Sequence, residues 1–294
     1  MQISLCTISF RHHLIGLQQI ADWASQIGFQ GIEIWGAHAR NLPPDNGQDA
    51  AWLATYGLDV PMISDYLPLD RPDLIGEKTA DALRHAARWR TRNIRTFAGK
   101  TGSAETGSDQ RAQITHALRG ACQQVHEHGC TLLIETHPGT LADTLASTCQ
   151  LIEDVDHPAL GINFDALHVW EGGDDPVVAL QALAPKIGNY HFKNIAHRSL
   201  LPVFAPANIY DAAGSRAGIV PLLDGQMAYG PLITAMADTP GCRVSLEWFG
   251  GDVFNVLETD LKALRQGQTG AARPDTAQPP VSSNRTPPHH VPLL

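Results

Sequence analysis

Apolar residues fall into eight short runs separated by stretches of helical spacing. The runs lie at Ile3–Ser9, Gly31–Trp35, Val60–Asp65, Ile94–Ala98, Thr131–Thr136, Leu160–Asp165, Ile187–Phe192 and Arg243–Trp248, and are rich in Ile, Leu, Val and Phe. Near-continuous apolar runs of this length predict strands buried on both faces. Between them, Leu14, Leu17, Ala21, Ala24 and Ile27 recur at three- and four-residue steps. So do Ile114, Ala117, Leu118, Ala121, Cys122 and Val125, and again Leu141, Leu145, Thr148 and Ile152. That spacing gives each helix one apolar stripe. Gly28, Gly57 and Gly129 stand where helices should stop, since a helix C-terminus often needs a left-handed residue.

Strand–helix alternation repeated eight times predicts an α/β chain closed into a single (β/α)8 TIM barrel over residues 1–266. An open doubly wound sheet is the alternative, but no GxGxxG follows the first strand. Two stretches break the regularity. Residues 195–229 are too long for an ordinary strand–helix connection and predict a lid or binding loop. Residues 267–294 hold six prolines among Gly, Ser, Thr and Gln and predict a disordered tail outside the barrel.

The 294 residues are 43% apolar. A fold of this size buries about three-quarters of its unfolded surface and needs no disulfide or structural metal. Thirty Asp and Glu against 21 Lys and Arg, a net charge of −9, argue against a nucleic-acid partner. No apolar run approaches the roughly 20 residues of a membrane span. The N-terminus lacks the pattern of a secretory signal, and the five cysteines form no CxxC pair. Reduced core thiols in a cytoplasmic protein are expected.

The charged residues change the picture most. An ionisable group inside an apolar strand needs a partner. Glu135 closes the fifth run, Asp165 the sixth with His168 three residues on, His191 lies in the seventh, and Glu247 closes the eighth. In a barrel these ends are neighbours on the loop side, where barrel chemistry is located. Three carboxylates and an imidazole would repel without a cation. Oxygen ligands with one nitrogen suit one Mn²⁺ or Mg²⁺ better than zinc. His137 lies two residues past Glu135 and Lys193 two past His191, so strand alternation points each to the same side as its neighbour. Glu33, flanked by isoleucines, reads either as a support for the ligands or as a structural carboxylate. Arg95 fits a substrate carboxylate, which its guanidinium matches bidentately, or an internal ion pair.

The set Glu135, Asp165-x-x-His168, His191-x-Lys193 and Glu247 resembles the xylose-isomerase-like barrel superfamily of sugar isomerases, epimerases and endonucleases. Longer strings narrow it: SLCTISFRH from Ser4, GIEIWG from Gly31, MISDYL from Met62, IRTFAG from Ile94, ETHP from Glu135, YHFKN from Tyr190, YDAAGSR from Tyr210 and LEWFG from Leu246. These resemble the siderophore-pathway 3-dehydroshikimate dehydratases over roughly residues 1–265. The resemblance implies a metal-dependent dehydration of 3-dehydroshikimate to 3,4-dihydroxybenzoate, for catechol siderophores or aromatic catabolism. It also implies His137 and Lys193 as active-site residues. Tyr66, Arg95, His168, Tyr210 and Arg216 are expected to hold the substrate's hydroxyls and carboxylate. Arg216, in the long loop, would fit a role across the interface of a homo-oligomer.

Three other readings stay open. A ketose epimerase or isomerase would use Glu135 and Glu247 as an acid–base pair, yet has little need of Arg95. An endonuclease of this fold needs further histidines and a DNA-binding face. A metal- or ligand-sensing barrel would leave His137 and Lys193 without work.

Overall fold

The computed structural model describes residues 1–237, 239 and 241–271, with side chains up to residue 267. Among the described residues ten strands occur in chain order: β1 (Gln2–Cys6), β2 (Gly31–Trp35), β3 (Ile63–Ser64), β4 (Asn93–Thr96), β5 (Thr131–Glu135), β6 (Leu160–Asp165), β7 (Ile187–Phe192), β8 (Asn194–Ile195), β9 (Ile219–Val220) and β10 (Arg243–Leu246). Eight of them close into a barrel in the order β1-β10-β7-β6-β5-β4-β3-β2. Every neighbouring pair is parallel, as strands joined by crossover helices must be. The expected TIM barrel is therefore present.

The helices pack by the stripes that their spacing marks out. In Ser108–Glu127 the buried side chains are Ile114, Thr115, Leu118, Ala121, Cys122 and Val125. Each large aliphatic side chain so buried stabilises the fold by about 1.5–3 kcal/mol relative to exposure. The first helix starts at Leu17 rather than Leu14, which is fully exposed on the preceding turn. Gly28 caps that helix at φ 95°, a conformation open to glycine at little cost. All five cysteines are free, and all but Cys149 are buried.

Strand lengths differ from the apolar runs for local reasons. Pro61 has no N–H to give the ladder, so β3 shrinks to two residues within Val60–Asp65. After Cys6 the chain coils into a 3₁₀ turn, Thr7–Phe10, whose side chains are buried over the barrel end. The closing helix Val253–Ala271 runs beyond the expected boundary at 266, and the remainder of the Pro-rich stretch lies outside the described residues. No helix among the described residues is long and apolar enough to cross a membrane.

The long segment after β7 is ordered. β8 and β9 pair antiparallel, and a 3₁₀ helix (Arg198–Phe204) and a short helix (Pro206–Tyr210) lie between them. Asn194 stitches its base, with Nδ2 donating to the carbonyls of Leu222 (2.6 Å) and Met227 (2.9 Å). Gly225 lies against that amide, where a Cβ would come within 2.1 Å of Asn194 Cγ. Gly225→Ala is expected to cost about 1–3 kcal/mol, the usual range for overpacking. A lower Tm in thermal denaturation checks it; an unchanged Tm would show that the loop base gives way freely.

Candidate active site

The strand ends bring the charged residues together at the loop side of the barrel. Glu135 ends β5, Asp165 ends β6, His191 lies in β7 opposite Asp165, and Glu247 follows β10. All four are buried, as are Glu33, Arg95 and Lys193. Arg95 Nε lies 2.8 Å from Glu135 Oε2. Lys193 Nζ lies 2.7 Å from Glu247 Oε2 and is also bonded to Asp165. Four buried carboxylates against two cations leave two negative charges, which one divalent ion would balance.

His191 defines where that ion would sit. Its Nε2 meets Glu33 Oε2 at 2.9 Å, and since a carboxylate accepts, Nε2 carries the proton. Nδ1 is buried with no hydrogen-bond partner, facing Glu135 Oε2 at 3.5 Å and Glu247 Oε1 at 3.4 Å. Ligand atoms of Glu135, Asp165 and His191 all lie within 4.8 Å of one another. Glu247 stands beside this group, one oxygen toward His191 and the other toward Lys193. An orphaned imidazole nitrogen ringed by carboxylate oxygens fits a hard divalent cation. Without one, burial alone would make His191 neutral. The carboxylates of Glu247, Glu33 and Glu135 overcome that and raise its pKa well above the usual range, so a proton supplies part of the missing charge.

His137 and His168 form the next layer. Their rings lie 4.5 Å apart, and the His137 ring also lies 4.3 Å from Phe97. His137 Nδ1 is 2.7 Å from the Pro138 carbonyl, which can only accept, so the ring proton sits on Nδ1 and Nε2 keeps its lone pair. Burial, with His168 beside it, pushes the His137 pKa down to about 3. For Lys193, burial opposes the charge, but Asp165 and Glu247 outweigh it and raise the pKa.

A cavity opens above this cluster, lined by Arg95, Glu135, His137, His168, Lys193 and Glu247 and walled by Tyr66, Phe97, Phe204, Tyr210 and Phe249. Tyr210 comes from the long segment, donating its hydroxyl to Tyr66 at 2.9 Å and stacking on Trp35 at 5.9 Å.

Of the expected binding residues, Arg216 is placed away from the cavity. Arg216 is not among the lining residues: its guanidinium is spent on loop carbonyls, Asn208 (3.0 Å), Ser215 (2.9 Å) and Asp211 (2.7 Å) among them. Arg95 does line the cavity. Its Nε faces Glu135, its Nη1 donates to the Asp65 carbonyl at 3.3 Å, and its guanidinium lies 4.9 Å from the Tyr66 and Phe97 ring centres. The internal ion pair is thus the partner it has. Asn163 and Cys6 also take part: Asn163 Nδ2 donates to Glu135 Oε2 at 3.1 Å, and the Cys6 thiol donates to Glu33 Oε1 at 3.3 Å. A polar residue within an apolar run was the available signal for each.

A model of the xylose isomerase-like TIM barrel family matches residues 21–269. The 3-dehydroshikimate dehydratase of Bacillus anthracis is 44% identical over 272 residues, covering 90% of this chain and 96% of that protein. Among solved structures, a probable 3-DHS dehydratase from Bacillus anthracis, described as involved in petrobactin synthesis, superposes with a TM-score of 0.87 at 43% identity, covering 90% of this chain and 99% of that one. An L-ribulose 3-epimerase superposes at 0.72 with 18% identity, covering 92% and 95%, a likeness of fold alone. The chain therefore belongs to the xylose isomerase-like TIM barrel family, alongside the 3-dehydroshikimate dehydratase of Bacillus anthracis.

Proposed function

We propose that this protein is a metal-dependent hydro-lyase converting 3-dehydroshikimate to 3,4-dihydroxybenzoate and water, for catechol siderophore biosynthesis or aromatic catabolism. The observation that carries this is 44% identity along nearly the full length of a 3-dehydroshikimate dehydratase. Glu135, Asp165, His191 and Glu247 would hold one Mn²⁺ or Mg²⁺. When bound, the ion supplies Lewis-acid stabilisation of the negative charge that develops on the substrate's oxygens.

The reaction removes the C4 proton, α to the C3 ketone, and expels the C5 hydroxyl as water. A double bond forms between C4 and C5, and loss of a C6 proton with protonation at the C3 oxygen completes the aromatic ring. His137 Nε2 takes the C4 proton and returns it to the departing C5 oxygen, because its other nitrogen is fixed as a donor to Pro138. Lys193 places its ammonium where an enolate oxygen gains negative charge. Arg95 acts chiefly as the counter-ion of Glu135. Tyr66, Tyr210 and His168 meet the hydroxyls and the carboxylate between the aromatic walls. Arg216 shapes the loop that carries Tyr210.

Incubating the protein with 3-dehydroshikimate and Mn²⁺ or Mg²⁺, and following catechol absorbance, tests the reading, with a ketohexose panel in parallel. Epimerised ketohexose with no catechol would overturn it. Glu33 supports the cation by fixing which nitrogen of His191 is free. Glu33→Gln is therefore expected to weaken Mn²⁺ binding by about 10- to 100-fold, the usual cost of losing such a support. Competition against a chelator measures it, and an unchanged affinity would make Glu33 merely structural.

A further inference from the structure

Beside the carboxylate cluster, the two neighbouring histidines present a different set of ligands. We propose that His137, His168 and Glu135 form a second cation site, suited to Zn²⁺, whose occupation shuts the enzyme down. One ligand atom from each residue lies within 4.8 Å of the other two. Glu135 is shared with the first group, so its carboxylate would bridge the two ions.

What points to a metal is how the histidines are held. A metal-binding imidazole nearly always donates its other ring N–H to a carbonyl or carboxylate, which fixes the tautomer and aims the free nitrogen. Both rings are anchored in this way: His137 Nδ1 to the Pro138 carbonyl at 2.7 Å and His168 Nδ1 to Glu171 Oε2 at 2.7 Å. With Nδ1 as the donor, Nε2 is the atom of each ring left to meet a cation. His168 Nε2 stands 3.9 Å from Asp165 Oδ2, on the side of the carboxylate cluster.

The ligand types separate the two sites. Two imidazoles and a glutamate form a set that zinc favours, with a position left for water. The first group, carboxylates with one imidazole, suits the harder ions. Arg95 and Lys193 oppose a second cation, being close to Glu135 and Asp165 respectively. Glu171, held on His168 Nδ1, adds a negative charge that the first ion does not use. A zinc ion on His137 Nε2 would use the lone pair that takes the C4 proton. It would also stand in the cavity where the substrate binds. The inhibitory consequence rests on the proposed function; the site itself does not.

The test takes the full chain, stripped with a chelator. Zn²⁺ is titrated by calorimetry, and Co²⁺ by its visible absorption, which reports imidazole ligands. Wild type is expected to take two equivalents. His168→Gln and His137→Gln should each take one, while Glu247→Gln should keep the histidine site. One equivalent in wild type, or two in both histidine variants, overturns the site. With Mn²⁺ loaded, added Zn²⁺ should lower turnover by about 10²-fold or more, the loss expected on removing a general base. Mn²⁺ should stay bound, as read from its electron paramagnetic resonance. Release of Mn²⁺ in step with the lost activity would mean that Zn²⁺ competes at the first site, and would overturn the inhibition. The stoichiometry needs no substrate, so a failed dehydratase assay and a failed zinc site are distinguishable.

Discussion

Glu247→Gln is expected to lower kcat/KM for 3-dehydroshikimate by about 10³-fold or more in saturating Mn²⁺. The substitution keeps the shape and the hydrogen-bonding oxygen but removes one negative charge from a cluster that lacks two positive ones. Glu247 Oε1 faces the orphaned His191 Nδ1 at 3.4 Å, and its Oε2 holds Lys193 at 2.7 Å. The loss therefore touches both the cation's shell and the placement of the ammonium. Lewis-acid stabilisation contributes several kcal/mol to such a reaction, and about 1.4 kcal/mol corresponds to tenfold in rate. The barrel should persist, because Glu247 lies beyond the end of β10 and its backbone N–H still bonds the Phe192 carbonyl at 3.0 Å. Steady-state kinetics with a thermal melt of the metal-free variant separates the two effects. Full turnover by metal-stripped wild type in excess chelator would remove the cation from the mechanism altogether.

The barrel was legible because buried parallel strands leave nearly continuous apolar runs, and a charge at the end of such a run has few innocent explanations. Glu135, Asp165, His191 and Glu247 announced themselves in this way, and the register that sets Asp165 opposite His191 brings them together. Partner choice was not legible. Arg95 on an inner strand calls for a carboxylate, but only the closed barrel shows that Glu135 on the adjoining strand supplies it. Glu33 is 158 residues from His191 in sequence, and no local spacing reveals that pair. Arg216 misled for a related reason. A cation in a long loop over the site reads as a substrate ligand, yet the loop's own carbonyls need donors, and the guanidinium meets several at once. Side chains that hold a loop and side chains that hold a ligand look alike in sequence. They differ in where the backbone's unpaired groups lie.

His137→Ala is expected to lower kcat by about 10²- to 10⁴-fold, the span usual for a lost general acid–base, with little change in KM. Geometry singles out this residue. Its Nδ1 is committed to the Pro138 carbonyl at 2.7 Å, and burial against His168 keeps the ring neutral down to about pH 3. Its Nε2 therefore keeps its lone pair over the whole working range, and as so weak a base it holds the C4 proton only long enough to pass it to the C5 oxygen. Lys193, the other candidate, is held in its charged form by Asp165 and Glu247 and has no lone pair to offer. KM should hold because Tyr66, Tyr210, His168 and the cation remain to bind the substrate. Exchange of the C4 hydrogen with deuterated solvent, followed by NMR on unreacted 3-dehydroshikimate, gives an independent reading. It should slow together with kcat if His137 takes that proton. If His137→Ala turns over at nearly the wild-type rate and exchange continues, the base is Lys193, and its ammonium must then lose a proton once its two carboxylate partners turn to the cation.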